Sequence, residues 1–178
     1  KTLRKAGEIY DKIGFMGVGK YSEFDQLRIA GIRHADLKGY SFSRDDVDAR
    51  WLANQYAQIL GQYFTHEMKP LEVEMIVAEI GDSVEEDQLF HLLYDGTVMD
   101  TSSFVVIGGE ADLVRERIEQ NWKPALPLEE IIKLTTEALS GPDRSFSHDE
   151  LEIAILSRGN GRRAFNRVEG EELNRLLA

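Results

Sequence analysis

Two amphipathic helical patterns follow one another directly, the first ending near Gly39 and the second starting at Ser43, with strand-like runs on either side. Helices that arrive in pairs do not suit a sheet wound from alternating strand and helix, so this order limits the fold more than any other feature. Before the pair, residues 9–18 read as one buried strand, which turns on Gly17 and Gly19 into the first helix. Phe24, Leu27, Ile29, Ala30 and Ile32 then recur near helical spacing. Ser43, ahead of Arg44-Asp45-Asp46, offers the second helix a hydroxyl cap and early carboxylates for its free amides. Its apolar stripe runs through Val47, Trp51, Leu52, Tyr56, Ile59, Leu60, Tyr63 and Phe64.

A strand follows over residues 71–80, alternating at first and then nearly continuous in apolar residues, as for a strand covered on both faces. An acidic turn leads to a strand over 88–94, and Asp95-Gly96 marks a hairpin because glycine accepts the positive φ such turns need. A short strand and the run 104–109 precede a second pair of helices. One spans about residues 110–122; the other begins at Pro127 and stops at Gly141-Pro142. Strands over 151–156 and 163–168 flank Asn160-Gly161, and a helix closes the sequence over 169–177. The pattern is α+β: two stacked antiparallel sheets with helix layers outside.

The length of 178 residues suits one domain, residues 1–178. There is no cysteine, which excludes disulfides, thiolate nucleophiles and cysteine-based zinc sites. No apolar run approaches the roughly 20 residues of a membrane span and no signal peptide is visible, so the expectation is a cytoplasmic protein without a membrane partner. The formal charge is -11 and disfavours nucleic acid. It is uneven, however: Lys1, Arg4, Lys5, Lys12 and Lys20 crowd the start against Glu8 and Asp11, whereas residues 67–116 are mostly acidic. A basic corner on an acidic protein suits an anion or carboxylate pocket.

Little in the sequence points to chemistry. Gly17-Val18-Gly19-Lys20-Tyr21-Ser22 is superficially like a dinucleotide-binding turn, but Ser22 stands where a third glycine or alanine is needed. His34, His66, His91 and His148 have no metal-ligand spacing, and His34 and Asp36 do not share a helix face. The pairs Asp45-Asp46, Glu85-Glu86, Glu129-Glu130 and Glu171-Glu172 fall at helix starts or turns, where the helix dipole or water accounts for them. No Gly-x-Ser-x-Gly setting occurs. The expectation is no catalytic residue, no metal and no cofactor.

A resemblance adds to this reading. Lys5, Ile9-Tyr10-Asp11-Lys12-Ile13, Gly19 and Phe24-Asp25-Gln26-Leu27-Arg28 recur in the α-type subunits of proteasome core particles. So, in the same order, do Ala53-Asn54-Gln55-Tyr56-Ala57-Gln58, Lys69-Pro70-Leu71-Glu72-Val73-Glu74, Tyr94-Asp95-Gly96 and Leu151-Glu152-Ile153-Ala154. The chain resembles that family over nearly its whole length, most closely the actinobacterial kind. The resemblance implies a four-layer α/β/β/α sandwich of two antiparallel sheets, like that of the N-terminal nucleophile hydrolases. In that fold a helix and two strands precede the point where this sequence starts, so the expectation is an N-terminally incomplete domain with a bare sheet edge.

The implied role is non-catalytic. Such subunits form heptameric outer rings, stack on rings of proteolytic β subunits, gate the entry of protein substrates and dock ATPase activators through the activators' C-terminal tails. Lys5 matches a lysine that lines the tail pocket between neighbouring subunits, and Gly19 matches a glycine beside it; an ammonium there offers a tail carboxylate a charge-assisted hydrogen bond, and a missing β-carbon admits the tail backbone. Lys20 stands where the family often has an apolar residue. Proteolytic relatives use an N-terminal threonine whose own α-amine is the base. Thr2 is not first and precedes a strand from a later part of the fold, so it is not expected to be a nucleophile. Two other readings stay open: a proteolytic β-type subunit whose threonine is not in this chain, and an unrelated α/β enzyme or binding module built on the Gly17–Gly19 turn.

Overall fold

The computed structural model describes residues 3–177, so Thr2 lies outside the described residues, as does the side chain of His148. Its first finding corrects the strand expected over 9–18. The chain forms two strands there, β1 (Ala6–Tyr10) and β2 (Ile13–Gly19), which reverse at Asp11-Lys12 and pair antiparallel. No glycine or proline announces this turn; partners distant in sequence hold it. The Asp11 carboxylate pairs with Arg44, its carbonyl accepts from the Ala164 amide at 2.8 Å, and the Lys12 carbonyl accepts from the Ile80 amide at 3.1 Å.

The sheet continues through β3 (Val73–Glu79), β4 (Gln88–Leu92) and β5 (Val98–Asp100), all antiparallel in the order β1-β2-β3-β4-β5. Alternation decides which side each residue serves. Ile13, Phe15, Met75, Val77, Phe90 and Leu92 bury against α1 (Tyr21–Ser41) and α2 (Ala49–His66). Across the other face lies a two-stranded antiparallel sheet of β6 (Ile153–Leu156) and β7 (Phe165–Val168); a β-carbon on Gly14 would meet the Leu156 side chain at 3.5 Å. Its Ile153, Ile155 and Val168 pack with Ile132 of α4 (Leu128–Ser140) and with Leu173 and Leu176 of α5 (Gly170–Leu177). Finally, α3 (Ala111–Glu119) packs on α4 through Val114, Ile118 and Ala138. The molecule is thus a mixed helix and sheet structure with antiparallel sheets.

Helix boundaries show what propensity alone misses. The Ser43 hydroxyl accepts from the Asp45 amide, but it caps only a 3-10 turn at Arg44–Asp46. The long helix begins after Asp48, whose carboxylate accepts from the Trp51 amide at 2.7 Å. Likewise α1 runs two residues past Gly39, where a β-carbon would overlap the Tyr10 hydroxyl. The aromatic residues of the two helices also sort cleanly: Phe24 and Tyr56 are core, Trp51 is half-buried, and Tyr63 and Phe64 are exposed together with Leu37, Tyr40 and Phe42.

Glu79 adds a second cap to α2, accepting from the Ala49 amide at 2.7 Å. Burial pushes its carboxyl above the usual range, although that hydrogen bond opposes the shift. The folded state therefore holds the Glu79 proton more tightly than the unfolded chain does, and this residue's contribution to stability falls as pH rises through the raised value. Glu79→Gln keeps an acceptor for the amide and removes the buried charge. Thermal melts from acidic to neutral pH should show a flatter pH dependence, with a neutral-pH midpoint at or above that of the wild type; a clear fall at neutral pH would contradict this account.

Candidate functional site

The start of β1, the end of β2, the start of α1 and the start of β3 meet at one corner of the large sheet. The Gly17 amide donates to the Lys5 carbonyl at 3.0 Å, which sets Lys5 opposite Gly17. Gly19 lies two residues further along β2, roughly 7 Å at the rise of a strand. The two residues singled out from the sequence are therefore brought to the same corner.

Their surroundings differ. Lys5 is exposed, and its ammonium has no hydrogen-bond or ion-pair partner among the described residues. The other described cations of the basic start are all engaged: Arg4 with Glu169 at 3.0 Å, Lys12 with Asp82 at 2.5 Å and Lys20 with Glu23 at 3.1 Å. Lys20 departs from the family pattern, but its charge turns toward Glu23. That carboxylate also accepts from the Glu72 amide at 2.7 Å. Partial burial acts to raise its pKa, yet the Glu72 amide and Lys20 together hold it below the ordinary value.

Gly19 has an internal reason to be glycine. Its φ is +106°, and a β-carbon there would overlap the Glu72 carbonyl oxygen and sit 2.9 Å from the carbonyl carbon. The same carbonyl accepts from the Lys20 amide at 2.9 Å. The space left by the absent side chain is thus taken by the chain's own backbone. Gly17 answers to packing as well, since a β-carbon would press on Phe24 at 3.0 Å. Because β2 runs antiparallel to both neighbours, the Gly17–Ser22 turn belongs to no βαβ unit of the dinucleotide-binding kind.

Behind Lys5 lies a pair of residues to which the sequence reading assigned no role. The Glu152 carboxylate accepts from the Lys5 amide at 3.0 Å and from the Ala6 amide at 3.3 Å. Arg167 pairs with that carboxylate and donates to the Ala6 carbonyl at 2.7 Å. Their side chains are only 18% and 15% exposed. The signal was faint: a carboxylate just ahead of the apolar β6 and an arginine in the facing strand, where Ala154 is the partner of Arg167.

Cavities of about 650 and 570 Å³ flank this point, but their arginines are spent on neighbours: Arg28 on Asp25, Arg163 on Glu8, Arg4 on Glu169 and Arg167 on Glu152. Elsewhere, His91 is 8% exposed and bonds Glu74 at 2.6 Å, and His66 contacts the Thr65 hydroxyl at 2.8 Å. His34 borders a shallow hollow with Leu37, Phe42 and Trp51. Among the described residues no group of three or more histidines or acids could hold a metal ion, and no helix is long and apolar enough to cross a membrane.

Comparison with known proteins gives a consistent picture. A model of the proteasome subunit family matches residues 1–156. The chain is 54% identical over 177 residues to the proteasome subunit alpha of Acidimicrobium ferrooxidans, covering 99% of this chain and 76% of that protein. It is 51% identical over 183 residues to the proteasome subunit alpha of Sanguibacter keddieii, covering 100% and 72% respectively. With that of Streptosporangium roseum the identity is 49% over 179 residues, covering 100% and 69%.

Proposed function

Because the chain belongs to the proteasome subunit family, and within it to the alpha type, we propose that it builds the outer rings of a cytoplasmic core particle and receives the C-terminal tails of an ATPase activator at Lys5. It is the non-catalytic alpha subunit; in this reading peptide bonds are cut on partner β subunits, and this chain controls how protein substrates reach them. We read the layers as α/β/β/α, the sandwich of the N-terminal nucleophile hydrolases. The placement of α1 and α2 on one side of the large sheet, and of β6–β7 with α4 and α5 on the other, supports this. Assembly needs apolar surface for neighbouring subunits, and Leu37, Tyr40, Phe42, Tyr63 and Phe64 supply it on α1, α2 and their junction.

The exposed ammonium of Lys5, without a partner among the described residues, carries the docking part of the proposal. A tail ends in a carboxylate, and one charge-assisted hydrogen bond to it contributes about 1.5–3 kcal/mol before the costs of binding. One tail therefore binds weakly, and several tails engaging one ring gain by effective concentration. Gly19 and Glu72 shape the neighbouring wall, while Glu23 keeps Lys20 from competing for the carboxylate.

The test is Lys5→Ala in particles assembled with the β partner. Assembly should be unchanged, single-tail affinity should fall about tenfold, and stimulation of peptide hydrolysis by a tail peptide should disappear. Undiminished stimulation would overturn the docking assignment.

A further inference from the structure

We propose that the Glu152–Arg167 pair positions the docking lysine, so that activator binding at the ring surface depends on two residues that never touch the tail. This rests on the reading of Lys5 as the tail's anchor. Among the described residues β1 is the edge strand of the large sheet, and its ladder with β2 begins at Ala6, opposite Met16. Lys5 lies just beyond that first pair, tied to β2 only through its carbonyl. Its amide and the amide and carbonyl of Ala6 find their partners on the β6–β7 side instead.

Two side chains meet that need. Glu152 presents two acceptor oxygens to two consecutive amides, and Arg167 presents a donor to the carbonyl between them and the rest of β1. Acceptor and donor stand along the edge much as the backbone of another strand would stand. Arg167 also neutralises the carboxylate, which is needed for a charge so little exposed. On the other flank, Arg4 is tied to Glu169, which follows β7 directly. Residues 4 and 6 are thus stapled to the β6–β7 hairpin and its exit, and the exposed Lys5 side chain between them has no partner among the described residues.

A lysine side chain has many rotamers, and its reach is defined only as well as its backbone origin. With the pair in place, the ammonium samples a fixed volume beside Gly19. Without it, the backbone of Lys5 and Ala6 loses its anchor to the β6–β7 hairpin, and tail binding carries the cost of ordering it. Glu152→Gln makes this separation cleanly: one carbonyl oxygen remains, too few acceptors for two amides and a guanidinium, and the new NH2 group opposes Arg167.

The experiment uses assembled core particles and a fluorescent peptide ending in a free carboxylate, with its C-terminal amide as the control. Glu152→Gln is expected to weaken binding of the carboxylate peptide about tenfold, the size of one lost charge-assisted contact, with little change for the amide. In the Lys5→Ala background the same substitution should have no further effect on binding, while its effect on melting temperature persists. A purely structural role moves the melting temperature in both backgrounds and leaves peptide affinity alone, which would overturn the proposal. Arg167→Lys, which keeps the charge but loses the second hydrogen bond, serves as the second variant should Glu152→Gln fail to assemble. Wild-type particles give an independent reading: the Lys5 and Ala6 amides should resist hydrogen exchange, and exchange at the rate of an open loop would also overturn it. If Lys5→Ala itself leaves peptide binding intact, the docking reading fails instead, so the two failures are distinct.

Discussion

Gly19→Ala is expected to lower the unfolding free energy by about 3 kcal/mol or more, because two separate penalties act at one atom. The backbone at Gly19 has a φ of +106°, which side-chain-bearing residues rarely adopt, and the new methyl would enter the space of the Glu72 carbonyl. That carbonyl belongs to the chain entering β3 and cannot rotate away as a long side chain could. It is held by the Lys20 amide at 2.9 Å, and the Glu72 amide is held by Glu23 at 2.7 Å. Displacing it therefore disturbs the entry to β3 and the start of α1 together. For a domain of this size the loss corresponds to a melting temperature lower by roughly 6–12 °C. An unchanged midpoint in urea or thermal unfolding would show that the corner is looser than its contacts indicate.

Gly31→Ala should rank next, costing about 2–3 kcal/mol even though alanine favours a helix over glycine by about 1 kcal/mol. Gly31 is a buried position of α1 facing α2, and a β-carbon there would overlap the Tyr56 hydroxyl and lie 2.7 Å from its ring carbon. The Tyr56 ring cannot yield easily, being 1% exposed and packed on Phe15 with ring centroids 5.9 Å apart. Its hydroxyl is buried with no hydrogen-bond partner among the described residues, and burial drives its pKa well above that of an ordinary phenol. Tyr56→Phe alone should thus be neutral or slightly stabilising. In the double variant the phenylalanine should recover part of the Gly31→Ala loss and not all of it, since the ring carbon still crowds the methyl. Simple additivity in a double-mutant cycle would contradict this helix–helix contact.

Much of the architecture was legible because local chemistry and packing agree. The stripe on the second helix places Leu52, Tyr56 and Leu60 in the core, and Gly96 and Gly141 adopt the positive φ expected of a hairpin turn and a helix stop. The reversal at Asp11-Lys12 was not legible, because Arg44, Ile80 and Ala164 define it and nothing within the turn does. Asn160-Gly161 did mark a hairpin, though the connection is longer than two residues: Ser157 donates to the Ala164 carbonyl across it, and Gly159 and Gly161 both take positive φ. At the candidate site the sequence singled out Lys5 but could not show that it lacks a partner among the described residues. Nor could it show that Arg4 and Lys12 are taken by Glu169 and Asp82 from far along the chain. The Glu152 clamp was hidden for the same reason, its partners Lys5 and Ala6 being nearly the whole chain away.

In the proposed division of labour, this non-catalytic alpha subunit would supply ring, gate and docking site while β subunits cut peptide bonds. Assaying a fluorogenic peptide with the purified chain alone, and again after assembly with the proteasome β subunit, tests it most directly. No hydrolysis by the chain alone and clear hydrolysis by the assembled particle is the expected pair of results. Hydrolysis by this chain without the β subunit, abolished by a reagent that captures an N-terminal threonine, would contradict it.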